Sequence, residues 1–135
     1  MVNKEPICET DIDGIKRWIL NGHLHREDGP ALVDTYGNKF WYLNSLLHRE
    51  DGPAVEFNDG TKFWFFHDQY HREDGPAIDD SNGSKTWYLY GKLHRLDGPA
   101  YESPNGYREW YHQGKRIFCS SQEEFERLIK LKVLW

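Results

Sequence analysis

A histidine, an arginine and an aspartate stand within four residues of one another, and this group recurs four times along the chain. The letters HREDGPA occupy 25–31, 48–54 and 71–77, and HRLDGPA occupies 94–100. An imidazole, a guanidinium and a carboxylate are the groups expected of an acid–base site or an anion clamp. Histidines that recur in register also suggest metal binding.

The spacing of the copies argues against both kinds of chemistry. The blocks begin 23 residues apart without insertions, and two strands per unit would hold equivalent atoms about 10 Å apart. Two imidazoles on one zinc ion lie within about 4 Å of each other. An active site is one cleft assembled from several elements, whereas this block would give four equivalent surfaces. We therefore expect no catalytic residue, no metal ion and no cofactor, and a protein that is not an enzyme.

The block is instead interpreted as a fold element. The glycine allows a backbone φ that other residues rarely adopt, and the proline that follows has a fixed φ of its own. The aspartate accepts hydrogen bonds from backbone N–H groups, the arginine pairs with an acid, the histidine donates to a backbone carbonyl, and the alanine leaves room for a tryptophan. The structural repeat positions are His25, His48, His71 and His94; Arg26, Arg49, Arg72 and Arg95; Asp28, Asp51, Asp74 and Asp97; and Trp18, Trp41, Trp64, Trp87 and Trp110.

The same period orders the segments that must hold these residues. Each unit carries a ring-rich strand such as KFWYL at 39–43, a short turn, and a second strand that the letters DGP interrupt. An Asp-Gly or Asn-Gly pair closes most units, a hairpin signal in which both central residues take φ > 0. The predicted fold is mainly β: an elongated solenoid, or single twisted antiparallel sheet, of about five stacked hairpin repeats with a C-terminal capping helix.

Strand alternation assigns the side chains to two faces of this sheet. The tryptophans and the residues two positions after them, as in Trp41 and Leu43, are taken as the core face, although both faces are aromatic and the choice could be reversed. Rings on an open face are typical of protein interfaces. The candidate protein-contact residues are Phe40, Tyr42, Phe63, Phe65, Asp68, Tyr88 and Tyr111.

The chain divides into a lead-in segment at 1–12, a repeat array at 13–118 and a capping helix at 119–135. In SSQEEF each serine precedes a glutamate by three residues, a capping-box signature, and apolar residues follow at helical spacing. Cys8 and Cys119 would lie too far apart to join. An open N-terminal edge would allow two chains to associate.

Composition and charge narrow the classes of partner. A net charge of −5 with both signs interspersed argues against binding a phosphate backbone or an anionic leaflet. No apolar run approaches the roughly 20 residues that span a bilayer, and the first residues lack a signal pattern. We expect a cytoplasmic protein that binds neither nucleic acid nor membrane.

The stretch YLYGKLHRLDGPAYESPNG at 88–106 resembles the MORN-type repeat, whose units have this length, a Gly-Lys-x-His turn and a terminal Asp/Asn-Gly. The HRxDGPA variant is similar to a group abundant in bacteriophage and giant-virus genomes, whose chains also close on an EEF-containing helix. The resemblance covers roughly 13–135 and implies a β-hairpin solenoid used for interaction, without enzymatic activity. The sequence departs from the pattern at Ser45, Asp68, Leu96 and Ile117.

Protein binding is the leading functional hypothesis. If the viral resemblance holds, the partner would be a host protein, and the chain would block a defence enzyme. The first alternative is capture of a nucleotide or another small molecule by the arginines and tyrosines. The second is a purely structural scaffold or a lipid-contacting module, in which the outer rings only pack on each other.

Overall fold

A computed structural model describes residues 4–132 of the chain. This part contains eighteen short strands and one helix. The strands are β1 Ile7–Thr10, β2 Lys16–Leu20, β3 His23–Leu24, β4 Leu32–Val33, β5 Lys39–Phe40, β6 Tyr42–Leu43, β7 Leu46–Leu47, β8 Val55–Glu56, β9 Lys62–Phe63, β10 Phe65–Phe66, β11 Gln69–Tyr70, β12 Ile78–Asp79, β13 Lys85–Thr86, β14 Tyr88–Leu89, β15 Lys92–Leu93, β16 Tyr101–Glu102, β17 Arg108–His112 and β18 Lys115–Ile117, and the helix is α1 Gln122–Lys132.

One long antiparallel sheet follows the chain from end to end. Its strand order is β1-β2-β4-β5-β8-β9-β12-β13-β16-β17-β18, with β3 paired to β2. The hairpins β6-β7, β10-β11 and β14-β15 continue the strands of the middle units beyond their tryptophans. The sheet does not close, so β1 forms one edge and β18 the other. The predicted mainly β fold of hairpin repeats with a C-terminal helix is confirmed.

The second strand of each repeat is interrupted opposite the tryptophan. The Trp41 N–H donates to the carbonyl of Ala54 at 2.7 Å, while the Trp41 carbonyl accepts from the N–H of His48 at 3.1 Å. In an uninterrupted pair both bonds join one residue. The residues between His48 and Ala54 therefore leave the sheet as a loop, as the sequence predicted. We number these loops 1 (26–30), 2 (49–53), 3 (72–76) and 4 (95–99).

The turns at the two ends of the strands differ from the prediction. The Asp-Gly and Asn-Gly pairs have φ > 0 only at the glycine, as at Gly60 with φ 95° after Asp59, and the equivalent Gly37 after Tyr36 has φ 85°. The Gly37 N–H donates to the Asp34 carbonyl, and the Asp34 carboxylate accepts the N–H groups of Tyr36 and Asn38 at 3.0 and 2.9 Å. These bonds hold a type I turn followed by a left-handed glycine. The expectation of φ > 0 at both central residues was therefore wrong here.

The short turns at the other end have φ > 0 at both central residues, whether or not glycine is present. Ser45 and Asp68 have φ of 66° and 68°, close to the 78° of Gly91 in the equivalent turn. The turn type, which the missing glycines left open, is thus the same along the array. The Asp68 carboxylate also accepts the Leu47 N–H at 3.1 Å.

We expect Ser45→Gly to raise the free energy of unfolding by about 0.5–1 kcal/mol, because glycine adopts φ > 0 without steric strain. Urea denaturation of the two proteins measures the change. Ser81→Gly is the control, because Ser81 is exposed and is not among the residues with positive φ, so glycine there removes a surface hydroxyl and adds unfolded-state freedom without relieving strain. A Ser45→Gly variant that is no more stable than the parent would contradict the argument.

Few side chains are buried, and neither face of the sheet forms a core. The fully buried positions inside the array are the repeat alanines, which are 0% exposed, whereas the tryptophans before them are only half-buried. The expected core face is therefore a partly exposed surface, because most of the sheet has nothing packed over it. The alanines with 0% exposure are Ala31, Ala54, Ala77 and Ala100.

Within residues 4–132, the one apolar cluster of buried residues lies at the C-terminal end, where α1 covers the last hairpin. Phe125 is 1% exposed and belongs to a cluster with Trp110 and Ile117, against which Cys119, Leu128 and Ile129 pack. The Ser121 hydroxyl accepts the Glu124 N–H at 3.2 Å. The Glu124 carboxylate accepts the Ser120 N–H at 3.1 Å. The second serine thus caps the helix, but the reciprocal bond of the predicted capping box goes to the N–H of Ser120 and not to that of Ser121.

The ends of the chain add an edge strand and two thiols. Strand β1 lies inside the segment interpreted as a lead-in, and it pairs with β2. Cys8 on β1 and Cys119 after β18 are both free thiols, at opposite ends of the strand order. Residues 1–3 of the lead-in and 133–135 of the predicted helix lie outside the described residues. Within 4–132, no helix is long and apolar enough to span a membrane.

Candidate functional site

Each loop is organised by its arginine. In loop 2 the Arg49 guanidinium carbon lies 4.0 Å from the centre of the Trp41 ring, a cation–π contact. The Arg49 Nε donates to the Asp51 carboxylate at 3.1 Å, and Nη1 donates to the Pro53 carbonyl at 3.0 Å. The other three loops repeat all three contacts within 0.2 Å of these distances. The predicted pairing of arginine with aspartate is present in every loop.

The loop glycine and aspartate have other roles than those predicted. The loop glycines are not among the residues with positive φ. A Cβ on Gly52 would instead lie 2.9 Å from the Arg49 guanidinium carbon, and the other loops leave 2.6–2.8 Å. A larger residue at this position would thus have to displace the guanidinium. The aspartate carboxylate accepts the arginine Nε–H and not the backbone N–H groups of a bend.

The repeat histidines join each unit to the next. The Nδ1 of His48 accepts the backbone N–H of His67, the first residue of the following turn, at 2.9 Å. His25, His71 and His94 accept the equivalent N–H at 2.9–3.0 Å. The predicted donation to a carbonyl was wrong, because the N–H of a turn residue with φ > 0 faces the ring. Since Nδ1 accepts, the neutral ring carries its proton on Nε2.

The fourth histidine differs from the other three in its neighbours. In the first three units a glutamate carboxylate lies 3.6–3.7 Å from the histidine Nε2. Leu96 replaces that glutamate in the fourth unit. Burial, and then the nearby His112 ring, lower the pKa of His94 below its usual value of 6.5. The two imidazole centroids are 5.2 Å apart.

This lowered pKa predicts a pH-dependent stability. Because the unfolded chain holds the His94 proton more tightly, the contribution to the free energy of unfolding is complete above about pH 6.5 and decreases as the pH falls below it. We expect Leu96→Glu to weaken this dependence, because a carboxylate beside Nε2 favours the protonated ring. Urea denaturation at about pH 7.5 and about pH 5.5 measures it. Leu96→Gln is the uncharged control, and equal pH dependence in both variants would contradict the assignment.

The predicted contact residues lie mainly on the face of the sheet opposite the tryptophans. On this face six aromatic rings are linked by ring–ring contacts. Neighbouring centroids are 4.3–6.1 Å apart, and the Phe65–Tyr70 and Tyr70–Tyr88 pairs are stacked. All of these side chains are half-buried. We call this set the aromatic row, and its members are Phe40, Phe57, Phe63, Phe65, Tyr70 and Tyr88.

The structure brings only part of the predicted set together. Four of the seven predicted residues belong to the aromatic row, and the sequence reasoning missed Phe57 and Tyr70. Tyr70 stands where the neighbouring units have leucine, which was a readable signal. The Asp68 carboxylate accepts the N–H of Leu47, the residue that pairs with Tyr42, and burial, and then this carboxylate, raise the pKa of Tyr42. Tyr111 lies apart from the row, and its hydroxyl donates to Glu109 at 3.0 Å.

Three grooves separate successive loops on the tryptophan side. Groove 1 lies between loops 1 and 2, groove 2 between loops 2 and 3, and groove 3 between loops 3 and 4, with volumes of about 690, 690 and 580 Å³. Their floors contain Trp41, Trp64 and Trp87 respectively. Their rims are acidic, because the loop glutamates and aspartates are 76–88% exposed.

Neither the search for metal ligands nor the comparison with known proteins identifies a further candidate site. Within residues 4–132, no group of three or more His, Cys, Asp or Glu side chains is arranged to hold a metal ion. A scan against protein-family models and a search of curated proteins find no match. The candidate sites are therefore the aromatic row and the three grooves, which occupy opposite faces of one sheet.

Proposed function

We propose that this chain is a non-enzymatic MORN-like repeat protein that binds another protein through the aromatic row. The observation that carries the proposal is the row itself: six rings, each only half-buried and each in contact with at least one other ring of the row. Rings are the residues that contribute most to protein interfaces. Their mutual stacking fixes their conformations before binding, which reduces the entropy lost on association.

The finer proposal follows from the resemblance of the repeats to viral proteins. The chain is encoded by a phage or a giant virus, acts in the host cytoplasm, and inhibits a host defence protein. Nothing in the residues selects that protein. The partner surface that fits is apolar and aromatic at its centre, because the row offers rings there and the acidic loops lie on the other face.

The test is affinity capture from a host lysate, followed by a binding titration with the captured protein. A Phe40→Ala/Phe65→Ala/Tyr88→Ala variant should lose capture, because it removes one ring of the row in each of three units. A Lys39→Ala/Lys62→Ala/Lys85→Ala variant is the matched control, since these exposed residues carry no rings. Thermal denaturation verifies that both variants fold. Equal capture by the parent and the ring variant would overturn the proposal.

Small-molecule capture is the alternative with the least support. Each loop guanidinium already donates to an aspartate and to a proline carbonyl. The exposed acids of the rims repel anions. We expect nucleotides at millimolar concentration to leave the Tm unchanged in a thermal-shift measurement, whereas a dose-dependent rise would favour nucleotide capture. A lipid-contacting scaffold would float with anionic liposomes, which we also do not expect.

A further inference from the structure

The chain fills one groove-like site with its own helix. This site, groove 4, lies between loop 4 and the β17–β18 hairpin. The Gln122 carboxamide enters it: Nε2 donates to the carbonyl of Leu96 in loop 4 at 2.8 Å, and Oε1 accepts the indole N–H of Trp110 at 2.9 Å. One side chain thus bridges a loop carbonyl and a tryptophan N–H.

The same pair of atoms recurs in each open groove. Residues 23 positions before Leu96 and Trp110 are Glu73 and Trp87, and both line groove 3. Glu50 with Trp64 line groove 2, and Glu27 with Trp41 line groove 1. The backbone around each pair is also equivalent to that of groove 4. In every loop the N–H of the first residue donates to the carbonyl of the residue after the next tryptophan, at 3.1–3.5 Å.

Within the described chain, none of these three pairs of loop carbonyl and indole N–H takes part in a hydrogen bond. Between residues 4 and 132, hydrogen bonds join neither the Glu27, Glu50 and Glu73 carbonyls nor the indole N–H groups of the facing tryptophans to any protein partner. In groove 4 the equivalent pair is satisfied by Gln122. Each open groove therefore presents one free acceptor and one free donor with the same connectivity that holds a carboxamide in groove 4.

We infer that grooves 1, 2 and 3 each bind the carboxamide of a glutamine or asparagine side chain supplied by a partner polypeptide. This inference rests on the proposed function as a protein-binding module, to which it adds a second surface and a recognition chemistry. A primary carboxamide offers an N–H donor and a carbonyl acceptor in one plane, which matches the indole N–H and the loop carbonyl. A lone hydroxyl or ammonium group does not span both partners in this way.

The charge of the rims specifies the residues beside the carboxamide. The carboxylates of Glu27, Glu50 and Glu73 are 83%, 81% and 76% exposed at the rims. In loop 4, which the chain's own helix covers, Leu96 stands at this position. The partner segment therefore carries lysine or arginine next to its glutamine or asparagine. In a polyproline II segment every third side chain faces the same side and three residues advance about 9 Å, close to the roughly 10 Å of two strands, so a carboxamide at every third residue would reach successive grooves.

The indole N–H signals of the full chain in ¹H–¹⁵N NMR spectra provide the test. The probe is a synthetic peptide of three Gln-Lys-Ser units, and the control peptide has methionine in place of each glutamine. We expect saturable shifts of the Trp41, Trp64 and Trp87 indole signals. The Trp110 signal should not change, because its N–H already donates to Gln122. The methionine peptide should bind at least about tenfold more weakly, since a lost hydrogen-bond pair costs about 1.4 kcal/mol or more. Equal shifts with both peptides, or no shift with either, would overturn the inference.

Variants separate this inference from the proposed function. Trp41→Phe/Trp64→Phe/Trp87→Phe keeps aromatic rings and removes the N–H donors, so titration calorimetry should show that this variant no longer binds the glutamine peptide. If this variant still captures the protein partner with parental affinity while the ring variant does not, the carboxamide site is wrong and the proposed function stands. Gln122→Met verifies the reporter, because it should shift the Trp110 signal alone.

A second copy of the chain is the competing occupant of the grooves. In that case the three indole signals would shift with protein concentration in the absence of peptide, and light scattering would show a dimer. That outcome would overturn the assignment to a partner polypeptide. Signals that are independent of protein concentration, together with a monomer mass, are the result we expect.

Discussion

Replacing Phe125 by alanine is expected to lower the free energy of unfolding by about 3–5 kcal/mol, the usual cost of removing a buried phenylalanine. Phe125 is 1% exposed and packs in the only apolar cluster of buried residues that the described chain contains. Because each unit of such an array is stabilised mainly by its neighbours, the loss should fall on the last hairpin first. Hydrogen exchange should show lost protection in β17 and β18 before the middle strands.

The matched control for Phe125 is an exposed residue of the same helix. Arg127→Ala should change the free energy of unfolding by less than about 0.5 kcal/mol, because this side chain is exposed. Urea denaturation followed by tryptophan fluorescence measures both variants. If Phe125→Ala costs no more than Arg127→Ala, then α1 does not stabilise the array as a cap.

Gly75→Ala is expected to lower the free energy of unfolding by about 1–2 kcal/mol, the combined value of a cation–π contact and an exposed ion pair. The added Cβ would lie 2.7 Å from the Arg72 guanidinium carbon. The guanidinium would then leave the Trp64 ring, whose centre is 3.9 Å away, and the Asp74 carboxylate at 3.0 Å. Urea denaturation measures the loss.

A double-mutant cycle identifies the cause of that loss. In an Arg72→Ala background the clash is absent, so Gly75→Ala should cost only a few tenths of a kcal/mol. An equal cost in both backgrounds would mean that the glycine is required by its backbone conformation. The four loops are alike, with 2.6–2.9 Å between the hypothetical Cβ and the guanidinium carbon, so the same cycle can be repeated in any unit.

Most of the fold could be predicted from the periodicity of the sequence. The 23-residue spacing predicted the hairpin array, and the DGP letters predicted an interrupted second strand, which the split pairing of Trp41 between His48 and Ala54 confirms. The helix was predicted from its serine–glutamate cap and apolar spacing, because both signals are local in sequence. Local patterns are readable since the atoms involved are separated by only a few residues.

Contacts between units were harder to predict. The Nδ1 of each repeat histidine accepts an N–H from a residue 19 positions later, and no local pattern shows where that N–H points. The loop glycine was attributed to φ because its packing against arginine depends on a rotamer. The core face was predicted from alternation, which sorts side chains between faces but does not say whether anything covers them.

The aromatic row shows the same limit at the candidate site. Alternation placed Phe40, Phe63, Phe65 and Tyr88 on one face, where they lie. Phe57 and Tyr70 complete the row through cross-strand contacts, such as the 4.3 Å Phe65–Tyr70 stack. Register between non-adjacent segments determines those contacts, and it depends on the turn geometry that the sequence left open at Ser45 and Asp68.

The split pairing opposite each tryptophan has a consequence for how such chains diversify. Because His48 and Ala54 supply both bonds to Trp41, the residues between them are not needed for the pairing of that hairpin, although the Arg49 N–H donates to the carbonyl of Phe65 in the next unit. The exposed position of Glu50 is free to vary while the loop arginine and glycine keep their contacts, as Leu96 in loop 4 illustrates, much as antibody loops vary on a constant framework. A foreign segment grafted there would be displayed at fixed intervals, and duplication of one cassette would lengthen the display without redesign.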